Sequence, residues 1–160
     1  MDLSLYVTAF VTLFVVIDPI GLAPVFIALT PGMDGAQRRR IGFRALVIAA
    51  VLMLIFGFAG ESILGAIGIS ISAFRIAGGL LLFLTALDML FERRTQRREH
   101  QGEGDAPHHD PSVFPLAMPL LAGPGALASM ILLMGEAPGI GHMVMVNLVM
   151  LAVLVIAMAL

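Results

Sequence analysis

The chain contains no cysteine, which excludes disulfides, thiolate metal sites and thiol redox chemistry. Its nine basic residues are all arginine, so lysine is missing too. Charge as a whole is scarce. Charged residues make up 12% of the chain and apolar residues 59%, against roughly 25% charged in an average soluble domain. The formal charge of -2 gives no pointer to nucleic acid, and none is expected as a partner. The start lacks the positive n-region of a signal peptide. Met1-Asp2-Leu3-Ser4-Leu5 has an acid there, so the first apolar stretch reads as a retained span. What is present is apolar residues in long runs, without the spacing of a soluble amphipathic helix. These features predict an all-α, polytopic membrane helix bundle in a bacterial or archaeal plasma membrane.

Residues 3–30 form the first run, longer than the roughly 20 residues that cross a bilayer. The excess suits two half-helices joined by an unwound step at 18–21. A turn at 31–35 leads into the cluster Arg38, Arg39, Arg40 and Arg44. Residues 45–59 are the core of a second span, closed by Gly60-Glu61, and 62–71 read as a short interfacial or re-entrant piece. Residues 73–91 are the third span, with Ala73, Ala77, Gly78 and Gly79 allowing close approach of another helix. Residues 92–112 are polar and hold Arg93, Arg94, Arg97 and Arg98. Such a segment is too polar to bury a core. Residues 113–134 are a fourth span broken at Gly123-Pro124-Gly125, and 143–160 a fifth. No polar flank follows Leu160, which suggests an incomplete C-terminus.

Both arginine clusters fall in loops after odd-numbered spans. The positive-inside rule makes both loops, including 92–112, cytoplasmic and places the N-terminus outside. A repeated spacing then gains meaning. Pro19 and Pro24 interrupt the first span, and Pro119 and Pro124 the fourth. Three spans per unit is odd, so a second unit starting at Val113 is inverted. The expected organisation is a first three-span repeat at 1–91, the polar loop at 92–112, and an incomplete second repeat of two spans at 113–160. Inverted repeats with broken helices at mid-depth are a transporter plan, and matched Pro/Gly interruptions are its sequence pointer.

Three segments carry a family resemblance: Phe14-Val15-Val16-Ile17-Asp18-Pro19-Ile20-Gly21, Ala73-Phe74-Arg75-Ile76-Ala77-Gly78-Gly79-Leu80-Leu81-Leu82, and Pro119-Leu120-Leu121-Ala122-Gly123-Pro124-Gly125-Ala126. In that order they resemble the MarC family of integral inner-membrane proteins, from Leu3 onward. The resemblance implies six spans, one more than this chain holds. It also implies transport of neutral amino acids by some members, coupled to a cation.

Asp18 is the ionisable residue at mid-depth, and such residues mark ion or substrate pathways by default. It could meet a substrate ammonium or carry a coupling H+ or Na+. The plainer reading is structural: Asp as N-cap, followed by Pro at the first helical position. Gly21, Gly123 and Gly125 allow sharp turns and close approach to a ligand. Half-helix N-termini beside them favour a substrate carboxylate. The alternative is that these glycines serve helix packing alone. The candidate substrate or ion site is therefore Asp18, Pro19, Gly21, Pro24, Pro119, Gly123, Pro124 and Gly125. Thr30 and Ser129 could add hydroxyls. Arg75 and Glu61 read as a pair or an outer gate, with contact to interfacial water the alternative. His100, His108, His109, Asp105 and Asp110 fit no standard zinc spacing, so neither metal nor cofactor is expected.

The leading function is alternating-access transport of a small solute. An intramembrane protease would need two facing carboxylates at mid-depth, and Asp18 stands alone there, so no enzyme is expected. A non-transporting assembly or regulatory protein is the alternative. Expected partners are the lipid bilayer, a small neutral amino acid and its coupling ion, with a homo-oligomer compatible.

Overall fold

The computed structural model describes residues 3–91 and 111–160. Among them the architecture is all-α and polytopic. Helix α1 (Leu3–Ile17) and α2 (Pro19–Leu29) together form one candidate span. Helix α3 (Gly35–Ala66) and α4 (Ile71–Leu90) follow. A wide irregular coil (Ser112–Leu121) then leads into α5 (Pro124–Met134), and α6 (Ile140–Ala159) ends the chain. Among the described residues four helical stretches are long and apolar enough to cross a membrane. The wide coil and α5, bent by 54° at their junction, make a fifth if they count as one broken span.

The second span departs from expectation, because α3 is one unbroken helix of 32 residues. Asp34 starts it with a capping box: its side chain accepts from Gln37 N–H at 2.7 Å, and Gln37 reaches back to Asp34 N–H. Arginine is a good helix former, so the cluster Arg38–Arg44 lies inside the helix and not before it. Arg38 turns back and donates to the Thr30 carbonyl at 3.2 and 3.3 Å, closing the turn from α2. At the far end the helix continues through Gly60 and Glu61 to Ala66. Residues 62–66 are therefore helical, and not a separate interfacial piece.

Gly60 survives inside α3 because α5 needs its face. A side chain there would start 2.5 Å from Ile131 Cγ1, and one at Gly57 3.2 Å from Met134 Cε. Small residues drive close packing in lipid, where burying apolar surface against another helix gains little. Ala45, Ala49 and Met53 continue the same buried stripe. On α4 the expected stripe is reduced to one member. Gly78 packs on Leu132 and Ala128 of α5, whereas Ala73, Ala77 and Gly79 are exposed. Gly60→Ala should cost about 1–3 kcal/mol through overpacking. Thermal unfolding in detergent checks this, and shortening Ile131 to Ala in the same protein should restore part of the loss.

Packing runs between the two halves of the chain. α3 lies against the wide coil, α5 and α6; α1 lies against α5 and α6; α2 lies on α6; α4 meets mainly α5. Leu13, Ile17, Met53, Met130, Val146 and Met150 meet in the buried centre. The arginine-bearing start of α3 and the C-terminal part of α6 share one end, where Gly42 neighbours Phe26 and Met158. The turns at 67–70 and 135–139 share the other.

Candidate functional site

Between α1 and α2, Asp18 takes φ 54° and ψ 66°, the left-handed region that few residues other than Gly, Asn and Asp enter. This single residue is the unwound step. Its Oδ1 accepts the Gly21 N–H at 3.0 Å, and Pro19 follows at the first helical position. Proline suits that position because its missing N–H would have had no helical partner. A Cβ at Gly21 would meet the Asp18 carboxylate, so a larger residue there requires that side chain to shift. Pro24 lies exposed within α2 without ending it, and the helix continues to Leu29.

The second break is built differently. Phe114 (φ -132°, ψ 128°) and Met118 (φ -130°, ψ 126°) are extended. Each precedes a proline, Pro115 or Pro119, and both X–Pro bonds are cis. A residue before proline is pushed out of the helical region, which explains both extended positions. The segment before Gly123 is thus a wide coil where a regular helix was expected, held by i→i+5 bonds such as Ala122 N–H to Ala117 O at 2.9 Å. Gly123 is extended and sits over the coil. A Cβ there would lie 2.5 Å from the Pro119 carbonyl oxygen. Pro124 begins α5.

The two breaks are neighbours. A Cβ on Gly125 would meet Val16 Cγ1 at 3.2 Å, and Val16 stands two residues before Asp18. The helix starts beside them differ in one respect. Asp18 caps α2 with a carboxylate, whereas no side chain caps α5. The first N–H groups of any helix lack intrahelical partners. The start of α5 therefore offers the Gly125 and Ala126 N–H groups and the positive end of the helix dipole.

Two apolar grooves flank α4. One, of about 250 Å³, lies between α3, α4 and α5 and reaches Pro124. The other, of about 260 Å³, lies between α1 and α4 and includes Val16 and Thr12. Asp18 lines neither.

Other expected site residues divide. Thr30 is buried, but its hydroxyl donates to the Phe26 carbonyl at 2.8 Å and serves the end of α2. Ser129 is buried on α5, one turn beyond Gly125. Arg75 pairs with Glu136 of the α5–α6 turn at 3.4 Å and not with Glu61, which is exposed. Both partners of that ion pair are about half exposed, at 59% and 45%. Arg75→Gln should therefore cost no more than about 1 kcal/mol, an effect that high salt abolishes in a thermal melt. The expectations for 92–110, including His100, His108 and His109, lie outside the described residues. Among the described residues no group of three metal-ligating side chains occurs.

The last helix starts at Ile140 and buries two polar residues that the sequence did not mark as site residues. His142 is buried against Tyr6, with ring centroids 5.8 Å apart, and Asn147 is buried one and a half turns further on. Their signal was polarity inside an otherwise apolar run.

With this geometry in view, residues 3–160 match the family described as MarC family integral membrane protein. The chain belongs to the MarC family. This MarC chain is 38% identical over 153 residues to a UPF0056 membrane protein of Methanocaldococcus jannaschii, covering 94% of the chain and 74% of that protein. It is 40% identical over 151 residues to a UPF0056 membrane protein of Archaeoglobus fulgidus, covering 94% and 70%. The UPF0056 inner membrane protein YhgN of Escherichia coli is 37% identical over 139 residues, covering 86% and 68%. No solved structure matches the MarC chain.

Proposed function

We propose that this MarC-family chain is an inner-membrane transporter of small zwitterionic solutes, neutral amino acids first among them, working by alternating access. The observation that carries the reading is the unlike pair of helix starts at the adjoining breaks. A zwitterion needs an anion near its amine and N–H donors near its carboxylate. Asp18 supplies the first and the uncapped start of α5 the second. The family resemblance supports the same substrate class and a coupling H+ or Na+. The two prolines that open half-helices, Pro19 and Pro124, support an inverted repeat whose units rock about this centre. In this reading the arginine end is cytoplasmic.

The test is counterflow of labelled neutral amino acids in proteoliposomes, with the parent chain and Asp18→Asn side by side. Saturable exchange in the parent, lost in the variant, supports the proposal. No exchange by the folded parent chain across the amino acid panel removes it and favours an assembly or regulatory role.

A further inference from the structure

Helix α3 has 32 residues and is about 48 Å long, against roughly 30 Å of hydrocarbon in a bilayer. Glu61 bounds its apolar stretch at one end. About twenty residues back, or roughly 30 Å, stands Ile41. Arg39 and Arg40 therefore lie at the depth of the lipid headgroups. Arg44 starts just inside the hydrocarbon edge. Helical side chains tilt toward the N-terminus, so its guanidinium reaches back to the same layer.

These three arginines share one side of the helix. At about 100° per residue, Arg39, Arg40 and Arg44 fall with Phe43, Val47 and Val51 in an arc of roughly 140°. Every residue of the arc is exposed. The opposite side belongs to the bundle, where Gly42 neighbours Phe26 and Met158, and Ala45, Ala49 and Met53 are buried. Arg38 stands on that side and donates to the Thr30 carbonyl. The nearest acid along α3, Asp34, falls outside the arc and accepts from Gln37 N–H. The arc is thus cationic at the level of the lipid phosphates and apolar directly below. Its cations are guanidinium groups, which grip a phosphate through two parallel N–H···O bonds, and not the point charges of lysine.

We infer that this arc of α3 is a docking surface for an anionic phospholipid. Arg39, Arg40 and Arg44 hold the phosphate, and an acyl chain lies along Phe43, Val47 and Val51. Clusters of basic residues at the end of a span attract anionic lipid. Here the attraction is confined to one face, because Arg38 is turned inward to the end of α2. The inference needs only that α3 spans the bilayer and is independent of the transport reading.

The chain has no tryptophan, so Phe43→Trp places a single reporter in the arc. The full chain carrying it is reconstituted in phosphatidylcholine vesicles with increasing fractions of dibrominated phosphatidylglycerol or dibrominated phosphatidylcholine. Bromine on the acyl chain quenches from a neighbouring lipid, so a free phosphate ion gives no signal. The brominated phosphatidylglycerol should quench at a roughly tenfold lower mole fraction, and Arg40→Gln should remove about fivefold of that preference. Arg38→Gln removes the same charge from the bundle side and should leave the preference in place. Phe58→Trp puts the reporter on the same face about 22 Å further along, in the other leaflet, and should show no preference. Equal quenching by the two lipids at the Phe43→Trp reporter overturns the inference. A preference that Arg38→Gln lowers as much as Arg40→Gln does, or that is as strong at the Phe58→Trp reporter, is diffuse attraction and overturns it too. The second comparison decides the matter if Arg38→Gln does not fold.

Discussion

Gly123→Ala should cost about 2–3 kcal/mol, the range expected when an added methyl is forced into filled space. Stability of a folded domain is of order 5–15 kcal/mol, so the folded yield should fall visibly. The reason is the identity of the obstacle. The new Cβ would lie 2.5 Å from the Pro119 carbonyl oxygen, a backbone atom that no rotamer change can remove. Pro119 is itself fixed by the coil around it, where Leu120, Leu121 and Ala122 are buried. The matched control is Gly79→Ala in α4, where nothing lies within 4 Å of the new methyl. There the gain in helix propensity, up to about 1 kcal/mol, should leave the protein as stable or slightly more so. Thermal midpoints and the monodisperse fraction in detergent separate the two variants. Equal midpoints would show that the coil yields, contrary to this account.

Asp18→Asn should leave the fold intact and reduce counterflow roughly 10- to 100-fold, the loss expected when a charged partner becomes a neutral one. Asparagine tolerates the left-handed backbone and caps a helix as well as aspartate does. The Gly21 N–H therefore keeps an acceptor, and stability should change by less than about 0.5 kcal/mol. Asp18→Leu is the contrasting variant. It loses the cap, at about 1 kcal/mol, and places a branched side chain at φ 54°. It should fold poorly whatever the function. Full flux in a folded Asn variant would confine Asp18 to its structural role. The comparison works because the cap and the charge, which coincide in aspartate, are separated in asparagine.

Much of the spanning pattern was legible, since runs of apolar residues report directly on lipid contact. Asp18 as cap with Pro19 behind it was legible for a local reason: both preferences act within one turn. The register of the proline repeat was misleading. Pro19 and Pro24 match Pro119 and Pro124 in spacing, yet the structural counterpart of Pro19 is Pro124, since each opens a helix. Pro24 and Pro119 occupy unlike places, one inside a helix and one in a coil. Pro115 was the overlooked residue. Paired with Pro119 it unwinds the whole approach to the break, through its effect on Phe114 and Met118. The length of α3 was also hidden, because hydropathy marks where lipid begins and says nothing of where hydrogen bonding stops. Gly60 and Glu61 look like a terminus until Ile131 is seen against the glycine. The Arg75–Glu136 pair was illegible because it joins residues 61 positions apart.

The interleaving of the two halves has a consequence for synthesis. Helices α1 to α4 leave the ribosome before the elements they pack against most, α5, α6 and the wide coil, exist. Until then Gly57, Gly60 and Gly78 face only lipid, and the stripe that later receives α5 is an open groove in the growing chain. The early spans therefore wait in the bilayer largely apart, and the bundle closes late, when the wide coil and α5 arrive against the earlier helices and α6 follows against α1, α2 and α3.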